Sequence, residues 1–223
     1  MELVIFDCDG VLVDSEPITN AVFAEMLGEL GLVMSLDDMY AHFKGHSMAQ
    51  GLAIMQRMLG APPPPEFVDA YRARSRAALA RDVRPVRGIE RALAGLDALG
   101  TLTCVASSGD HEKMQITLGK TGLLSRFEGR VFSVTEVARG KPHPDVFLHA
   151  AHCMGIPPLS TVVVEDSPVG VRAGAAAGMT VLGYADLTEA AQLSAAGAAC
   201  TFTDMHALPE LVLDVSRGKW PAR

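Results

Sequence analysis

The sequence predicts an α/β fold: a parallel β-sheet covered by helices, with an all-helical module inserted after the first strand. Short, continuously apolar runs rich in Val, Ile and Leu alternate with amphipathic stretches of helical length along most of the chain. This alternation is typical of strands that are buried on both faces of a parallel sheet. The interval from about residue 14 to residue 84 breaks the alternation and holds only helix-like stretches.

The strands and helices of the predicted sheet follow one another in regular order. The predicted strands are Leu3–Phe6, Leu102–Ala106, Val131–Val134, Thr161–Val164 and Thr180–Leu182. The predicted helices lie near residues 89–99, 111–120, 144–154 and 168–177. Ser167-Pro168 and Gly178 are typical of the start and the end of the last of these helices, and Asp110 is a good N-cap for the second.

The inserted module contains helix-like stretches near residues 17–30, 35–43, 47–59 and 66–82. Four consecutive prolines at positions 62–65 predict a stiff, non-helical connector between the last two stretches. The chain returns to the sheet near Arg84-Pro85. We therefore expect a core domain of residues 1–14 and 85–223 and a helical domain of residues 15–84.

Length and composition agree with a core domain plus a small second one. The chain has 223 residues, of which 49% are hydrophobic and 20% charged, as in ordinary globular proteins. The formal net charge is −7, and nothing in the sequence resembles the basic stripe of a nucleic-acid binder, so we expect no nucleic-acid partner. The apolar run after Met1 is too short for a signal peptide, and no run reaches membrane-spanning length. We expect a cytoplasmic protein with no membrane partner.

Polar residues follow four of the predicted strands. They are Asp7-Cys8-Asp9-Gly10, Ser107-Ser108, Gly140-Lys141-Pro142 and Glu165-Asp166. Because ligands of open α/β sheets bind beyond the carboxyl ends of the strands, we expect these residues to converge at one edge. Four carboxylates, two serine hydroxyls and a lysine together suit a hard cation and a phosphate. Each residue alone is explained as a turn former, a cap or a surface group, so the prediction depends on the ordered set.

Each of these residue types has a chemical task in phosphate-ester hydrolysis. The Asp7 carboxylate can attack phosphorus in line and form a covalent intermediate. Oxygen ligands from Asp7, Asp9 and Asp166 suit Mg²⁺, which screens the approach of two anions. Lys141 adds positive charge, while the hydroxyl groups at 107 and 108 and nearby backbone N–H groups can hold phosphate oxygens. Asp9 can protonate the leaving alkoxide and later deprotonate water, provided that its surroundings keep it partly neutral.

The four cysteines, Cys8, Cys104, Cys153 and Cys200, show no paired spacing. We therefore expect reduced, buried thiols rather than disulfides or zinc ligands. Cys8 lies between two aspartates, but in an extended segment it points away from both of its neighbours. The sequence gives it no catalytic task.

The chain resembles the haloacid dehalogenase (HAD) superfamily along essentially its whole length. The stretch Phe6–Glu16, FDCDGVLVDSE, is similar to that family's first motif, and Ser107, Gly140-Lys141-Pro142 and Glu165-Asp166 are similar to the other three. The resemblance implies a Rossmann-like core with an inserted all-helical cap that closes over the site and selects the substrate. It also implies that Asp7 is the nucleophile and Asp9 the acid/base. Asp7, the Asp9 backbone carbonyl and Asp166 would hold Mg²⁺, with Glu165 in the first or second shell.

Within the superfamily the chain resembles the subgroup that holds β-phosphoglucomutase and sugar phosphatases, and several stretches are similar to bacterial 6-phosphogluconate phosphatases. Lys44 and Gly45 of the cap are candidate substrate contacts, because a glycine lets backbone approach a ligand closely. Where the mutases carry a histidine and a phosphate-clamping arginine, this chain has Thr19 and Met48. These differences favour hydrolysis of a sugar phosphate or sugar-acid phosphate, such as 6-phosphogluconate, over phosphosugar mutation.

Three further functions fit the sequence less well than a phosphatase does. A true dehalogenase would need neither magnesium nor the acid at Asp9. A nucleotide-dependent oxidoreductase would need a glycine-rich turn between the first strand and a helix, which the sequence lacks. A non-catalytic binding module would be free to lose Asp7, Asp9 or Lys141, and all three are present.

Overall fold

The computed structural model describes residues 1–43 and 48–220 and divides into two compact units. The core unit combines Met1–Asp14 with Arg84–Arg223, and the helical unit is Ser15–Val83. The chain leaves and re-enters the core unit through two short antiparallel strands, β2 (Val13–Asp14) and β3 (Arg84–Pro85). Because Arg84 pairs with Asp14, it belongs to the core unit and not to the helical domain in which the sequence placed it.

A six-stranded parallel sheet forms the centre of the core unit. Besides β1 (Leu3–Phe6), its strands are β4 (Leu102–Ser107), β5 (Val131–Ser133), β6 (Thr161–Glu165), β7 (Thr180–Tyr184) and β8 (Cys200–Phe202). Their order across the sheet is β5-β4-β1-β6-β7-β8, and every neighbouring pair is parallel. The predicted class, a Rossmann-like parallel sheet with an inserted all-helical module, is confirmed.

Ten α-helices complete the described chain. The helical unit contains α1 (Glu16–Glu29), α2 (Leu36–Phe43), α3 (Met48–Leu59) and α4 (Phe67–Asp82). The core unit contains α5 (Ile89–Ala98), α6 (His111–Lys120), α7 (Asp145–Cys153), α8 (Pro168–Ala176), α9 (Ala190–Ala196) and α10 (Leu208–Ser216). None of the helices in the described ranges is long and apolar enough to span a membrane.

The central strands are buried on both faces. Leu3 and Ile5 of β1 pack in one cluster with side chains of α7, α8 and α9, among them Phe147, Val171 and Leu193. Since side chains alternate along a strand, Phe6 lies on the opposite face, where its ring is 6.5 Å from that of Phe127. Burial of this kind supplies about 25 cal/mol for each Å² of apolar surface removed from water.

The helical unit has its own apolar core. Phe23 of α1 stands at its centre, with the rings of Phe43, Phe67 and Tyr71 arranged edge-on around it at centroid distances of 5.1 to 5.9 Å. Aliphatic and methionine side chains from the same helices fill the remaining space. Edge-on aromatic pairs contribute roughly 0.5–1.5 kcal/mol each beyond their buried area.

Candidate active site

The carboxyl ends of three neighbouring strands place the candidate site. β1 lies between β4 and β6, with Phe6 level with Val105 on one side and Val164 on the other. The residues that follow these positions, Asp7, Ser107 and Glu165, are therefore carried to the same edge of the sheet. All three are buried.

The Asp7 carboxylate is a buried acidic group at this edge of the sheet. Its backbone N–H donates to the carbonyl of Val164, and its Oδ1 accepts a hydrogen bond from Lys141 Nζ at 2.7 Å. Burial raises the pKa of Asp7 to about 7; the Lys141 charge opposes the shift, and the charges of Glu165 and Asp9 add to it. The carboxylate is crowded by like charges that one ammonium does not balance.

Lys141 connects three groups at the strand ends. Its ammonium donates to Asp7 Oδ1, to Glu165 Oε1 at 2.6 Å and to the Ala106 carbonyl at 3.1 Å, and it lies 4.6 Å from the centre of the Phe147 ring. Burial disfavours its charge, but the Asp7 and Glu165 carboxylates outweigh that effect and raise the pKa of Lys141. All three N–H donors are used, so the ammonium is fixed in position.

Glu165 is held against the start of α8. Its Oε2 accepts from the Ser167 backbone N–H at 3.1 Å and from the Ser167 hydroxyl at 3.0 Å, and Ser167 Oγ caps the helix by accepting from Gly170 N. Pro168 opens the helix, as predicted. Gly170 is required here, because a Cβ at this position would lie 1.7 Å from Glu165 Oε1.

Asp7, Glu165 and Asp166 form a group that suits a cation. Among the described residues these three buried side chains each offer a carboxylate oxygen, and the oxygens lie within 4.8 Å of one another. Gly10, at a φ of +77°, leaves room beside this group, since a Cβ there would lie 2.1 Å from Asp166 Oδ2. Three carboxylates beside one lysine leave excess negative charge, and an all-oxygen set is the kind that Mg²⁺ prefers.

The Asp9 side chain lies outside that three-carboxylate group and has a different partner. Lys113 Nζ of α6 donates to Asp9 Oδ2 at 2.7 Å, and both side chains are about a quarter exposed, at 27% and 26%. Sequence reasoning assigned no role to Lys113. Its position could have indicated this contact. Lys113 lies in the first turn of α6, three residues beyond the Asp110 cap, and a side chain at that position points toward the N-terminus of the helix.

Ser107 and Ser108 differ in their surroundings. Ser107 is buried, and its Oγ accepts from the Gly109 backbone N–H at 3.0 Å, whereas Ser108 is exposed. The loop is fixed from β5, because the Ser133 hydroxyl donates to the Gly109 carbonyl at 2.8 Å. The predicted cap of α6 is present: Asp110 accepts from the Lys113 backbone N–H.

Two other sets of predictions concern the helical unit and the thiols. Lys44 and Gly45 lie outside the described residues, so the structure gives no account of them.

Cys8 is buried with Sγ 3.9 Å from Thr117 Oγ1, and burial raises the pKa of its thiol well above the ordinary value. A neutral, enclosed thiol agrees with the absence of a catalytic task for Cys8. All four cysteines are free, but only Cys8 and Cys104 are buried as predicted; Cys153 is exposed and Cys200 is partly exposed.

Comparison with known proteins places the chain among hydrolases. Residues 1–178 match the family model of haloacid dehalogenase-like hydrolases. The 6-phosphogluconate phosphatase of Escherichia coli K12 is 32% identical over 212 residues, which cover 95% of this chain and 94% of that protein.

Two solved structures of similar sequence share the fold over nearly the whole chain. A conserved haloacid dehalogenase-like protein of unknown function from Agrobacterium tumefaciens has a TM-score of 0.88 at 33% identity and covers 97% of this chain and 99% of its own. A HAD family hydrolase from Deinococcus radiodurans was solved with bound phosphate and sodium. It has a TM-score of 0.81 at 33% identity, and the match covers 99% of this chain and 97% of that one.

Proposed function

The chain belongs to the haloacid dehalogenase-like hydrolase family, and on that premise we propose that it is a Mg²⁺-dependent phosphatase acting through an aspartyl-phosphate on Asp7. The substrate is a small phosphorylated sugar or sugar acid, with 6-phosphogluconate as the first candidate. The E. coli relative named for that activity aligns over 95% of the chain, and the relative from D. radiodurans binds phosphate.

The observation that carries the proposal is the setting of Asp7. Its carboxylate is buried at the end of β1, and one of its oxygens accepts a hydrogen bond from Lys141. A carboxylate oxygen of Asp7 lies within 4.8 Å of carboxylate oxygens of Glu165 and Asp166. A nucleophile needs a fixed direction of attack and a reduced charge barrier toward an anionic ester. Lys141 fixes the direction of attack. A divalent cation beside the three carboxylates would account for most of the reduction in the charge barrier.

The Asp7 carboxylate forms a bond to phosphorus as the bond from phosphorus to the ester oxygen breaks. The Lys141 ammonium offsets the charge on the transferring group, and Ser107 with the backbone N–H groups of its loop can hold the phosphoryl oxygens. Ser108, which is exposed, is the second serine candidate for this task. Water then attacks the aspartyl-phosphate, which releases inorganic phosphate and restores the Asp7 carboxylate.

Asp9 acts as the general acid in the first half-reaction and as the general base in the second. In the first it gives its proton to the departing ester oxygen, so that a neutral alcohol leaves; in the second it accepts a proton from the attacking water. The Asp9 side chain is separate from the three-carboxylate group and partly exposed, which suits a group that meets the substrate.

The residues proposed for the cation are Asp7 and Asp166 through their side chains and Asp9 through its backbone carbonyl. Glu165 is the remaining carboxylate of the group, and its two hydrogen-bonded oxygens suit a ligand bound through water or a support for the first shell. A bound Mg²⁺ supplies charge neutralisation at the phosphoryl group. The helical unit is proposed to select the substrate, with Lys44 and Gly45 as its candidate contacts.

A phosphate-release screen over sugar phosphates and sugar-acid phosphates, with Mg²⁺ and with chelator, tests the proposal. We expect release from at least one sugar phosphate that requires the metal, and the acid-quenched enzyme should carry one phosphoryl group on the peptide that holds Asp7. Asp7→Asn should show neither. Metal-independent release, or undiminished release by the Asn variant, would contradict the mechanism.

A further inference from the structure

The ion pair between Lys113 and Asp9 joins the first turn of α6 to the segment that follows β1. The two residues are 104 positions apart in the chain, and the donor and acceptor atoms are 2.7 Å apart. The contact is partly shielded, since only about a quarter of each side chain is exposed. It therefore differs from the fully exposed pairs that contribute little.

Lys113 is carried by a helix that is itself fixed in place. Asp110 caps α6 by accepting from the Lys113 backbone N–H at 2.8 Å, and the preceding Gly109 carbonyl is held by Ser133. One turn further along α6, Thr117 Oγ1 lies 3.9 Å from Cys8 Sγ. Positions 113 and 117 share a helix face, so this face meets two consecutive residues of the Asp7–Asp9 segment.

We propose that Lys113 is a positioning residue for the reaction, one that sets the orientation of the Asp9 carboxyl group. This inference deepens the proposed function and rests on it, because it concerns the proton transfers assigned to Asp9. An exposed aspartate has several rotamers, and only some direct a carboxyl oxygen toward the ester oxygen. A hydrogen bond at Oδ2 removes that freedom.

The contact can persist through both half-reactions. An ammonium N–H donates to a carboxylate oxygen and equally to the carbonyl oxygen of a neutral carboxyl group. Lys113 can therefore stay on one oxygen of Asp9 while the other loses or gains the proton. Lys113 itself exchanges no proton and forms no bond to the substrate in this arrangement.

The leaving group of the substrate separates this role from a purely structural one. A sugar alcohol is a poor leaving group that needs the Asp9 proton, whereas p-nitrophenolate departs without protonation. The rate constant kcat/KM reports steps up to release of the leaving group. A correctly positioned acid accelerates such a reaction by roughly 10²–10⁴-fold. Loss of the Asp9 orientation should therefore lower kcat/KM for the sugar phosphate and leave kcat/KM for p-nitrophenyl phosphate nearly unchanged.

The experiment compares the wild-type chain with Lys113→Met, which keeps an unbranched side chain of similar shape but has no donor. For the sugar phosphate that the wild type hydrolyses fastest, we expect kcat/KM to fall by about tenfold or more, mainly through kcat. For p-nitrophenyl phosphate we expect a fall of less than about threefold. Lys113→Arg, which restores a donor, should recover most of the lost rate. Lys120→Met, at the exposed end of the same helix, is the matched control and should behave as wild type.

Equal losses on both substrates would overturn the proposal, since they indicate damage to the fold or to phosphate binding. Unchanged kinetics of Lys113→Met, or an Arg variant as poor as the Met variant on the sugar phosphate, would overturn it as well. If the Met variant does not fold, Lys113→Leu, which likewise has no donor, is measured under the same criteria. Failure of the proposed function is distinct, because the wild-type chain would then release no phosphate from either substrate with Mg²⁺.

Discussion

Replacing Asp7 by asparagine should make the metal-free protein more stable while it abolishes turnover. Asparagine has the shape of a neutral aspartic acid, keeps an oxygen that can accept from Lys141, and carries no charge. The wild-type carboxylate is buried beside Glu165 and Asp9, and burial is the main reason why its pKa is raised. The substitution removes the charged form and therefore its cost.

The size and sign of the effect follow from proton linkage. A rise in the pKa of Asp7 from 3.8 to about 7, at about 1.36 kcal/mol for each pKa unit, corresponds to about 4 kcal/mol as an upper limit. Because the folded pKa lies above the unfolded one, the cost is absent below about pH 4, grows as the pH rises toward 7 and is complete above it. A gain of roughly 2–4 kcal/mol raises Tm by about 5–10 °C for a chain of this size.

Thermal unfolding in chelator at pH 8 and at pH 4 measures this difference. Asp7→Asn should unfold at the higher temperature at pH 8, the advantage should vanish at pH 4, and millimolar Mg²⁺ should narrow it at pH 8 by stabilising the wild type more. Asp69→Asn, at an 87% exposed side chain, is the control and should have no effect. A less stable Asn variant at pH 8, or an advantage that is the same at both pH values, would refute the reasoning.

Three other perturbations test separate parts of the site. Gly170→Ala would place a methyl group 1.7 Å from Glu165 Oε1, so we expect a loss of about 1–3 kcal/mol of stability together with a clear fall in activity, measured by denaturant unfolding and phosphate release. Ca²⁺ should compete with Mg²⁺ and inhibit phosphate release, because its larger, looser oxygen shell allows Asp7 to bind through both oxygens. β-Glucose 1-phosphate with a trace of the bisphosphate should yield phosphate and no glucose 6-phosphate, because Met48 has no charge or donor with which to clamp a second phosphate.

Each of these expectations has a contrary outcome. Gly28→Ala is the control for Gly170, because nothing lies within 4 Å of a Cβ at Gly28 in α1; it should stabilise by about 0.5–1 kcal/mol, and a Gly170 variant that behaves the same way would contradict the packing argument. Full activity with Ca²⁺ alone would count against a site that demands the smaller ion. Glucose 6-phosphate formed faster than phosphate would favour the mutase alternative.

The sequence predicted the central strands well because they are apolar on both faces. Leu3–Phe6 has the predicted bounds, and the strands that begin at Leu102 and Thr161 extend one residue beyond them, to Ser107 and Glu165. Polar residues conceal the end of a strand when they still pair in the sheet. The edge strand Cys200–Phe202 was missed for a related reason: it is only three residues long and has no continuous apolar run.

The third predicted strand was one residue too long. Val134 has the β-branched side chain that favours strands, but Ser133 and Glu136 form a capping box that begins a 3₁₀ helix at Val134. Local hydrogen bonds therefore outweighed intrinsic propensity. Helices α9 and α10 were not predicted; α9 is a short, alanine-rich segment whose apolar pattern is weak.

Residues such as Asp7 and Glu165 could be predicted to meet at one edge of the sheet because they lie at the ends of neighbouring strands, where topology alone brings them together. Lys113 lies six residues past the end of β4, and its contact with Asp9 depends on how α6 packs against the segment after β1. The requirement for glycine at position 170 was equally hidden, since it depends on the orientation of the Glu165 side chain. Distances between side chains of separate elements follow from packing, which no local pattern encodes.

The central position of β1 has a consequence for synthesis of the chain. Leu3 pairs with Leu102 on one side and Thr161 on the other, so the strand made first is flanked by strands made much later. The helical unit, with its own apolar core, is complete before either neighbour exists. During translation a continuously apolar strand therefore stays unpaired until β4 has been made, and pairing across such a sequence separation is slow. We expect the nascent chain to depend on chaperones until residue 165 has left the ribosome.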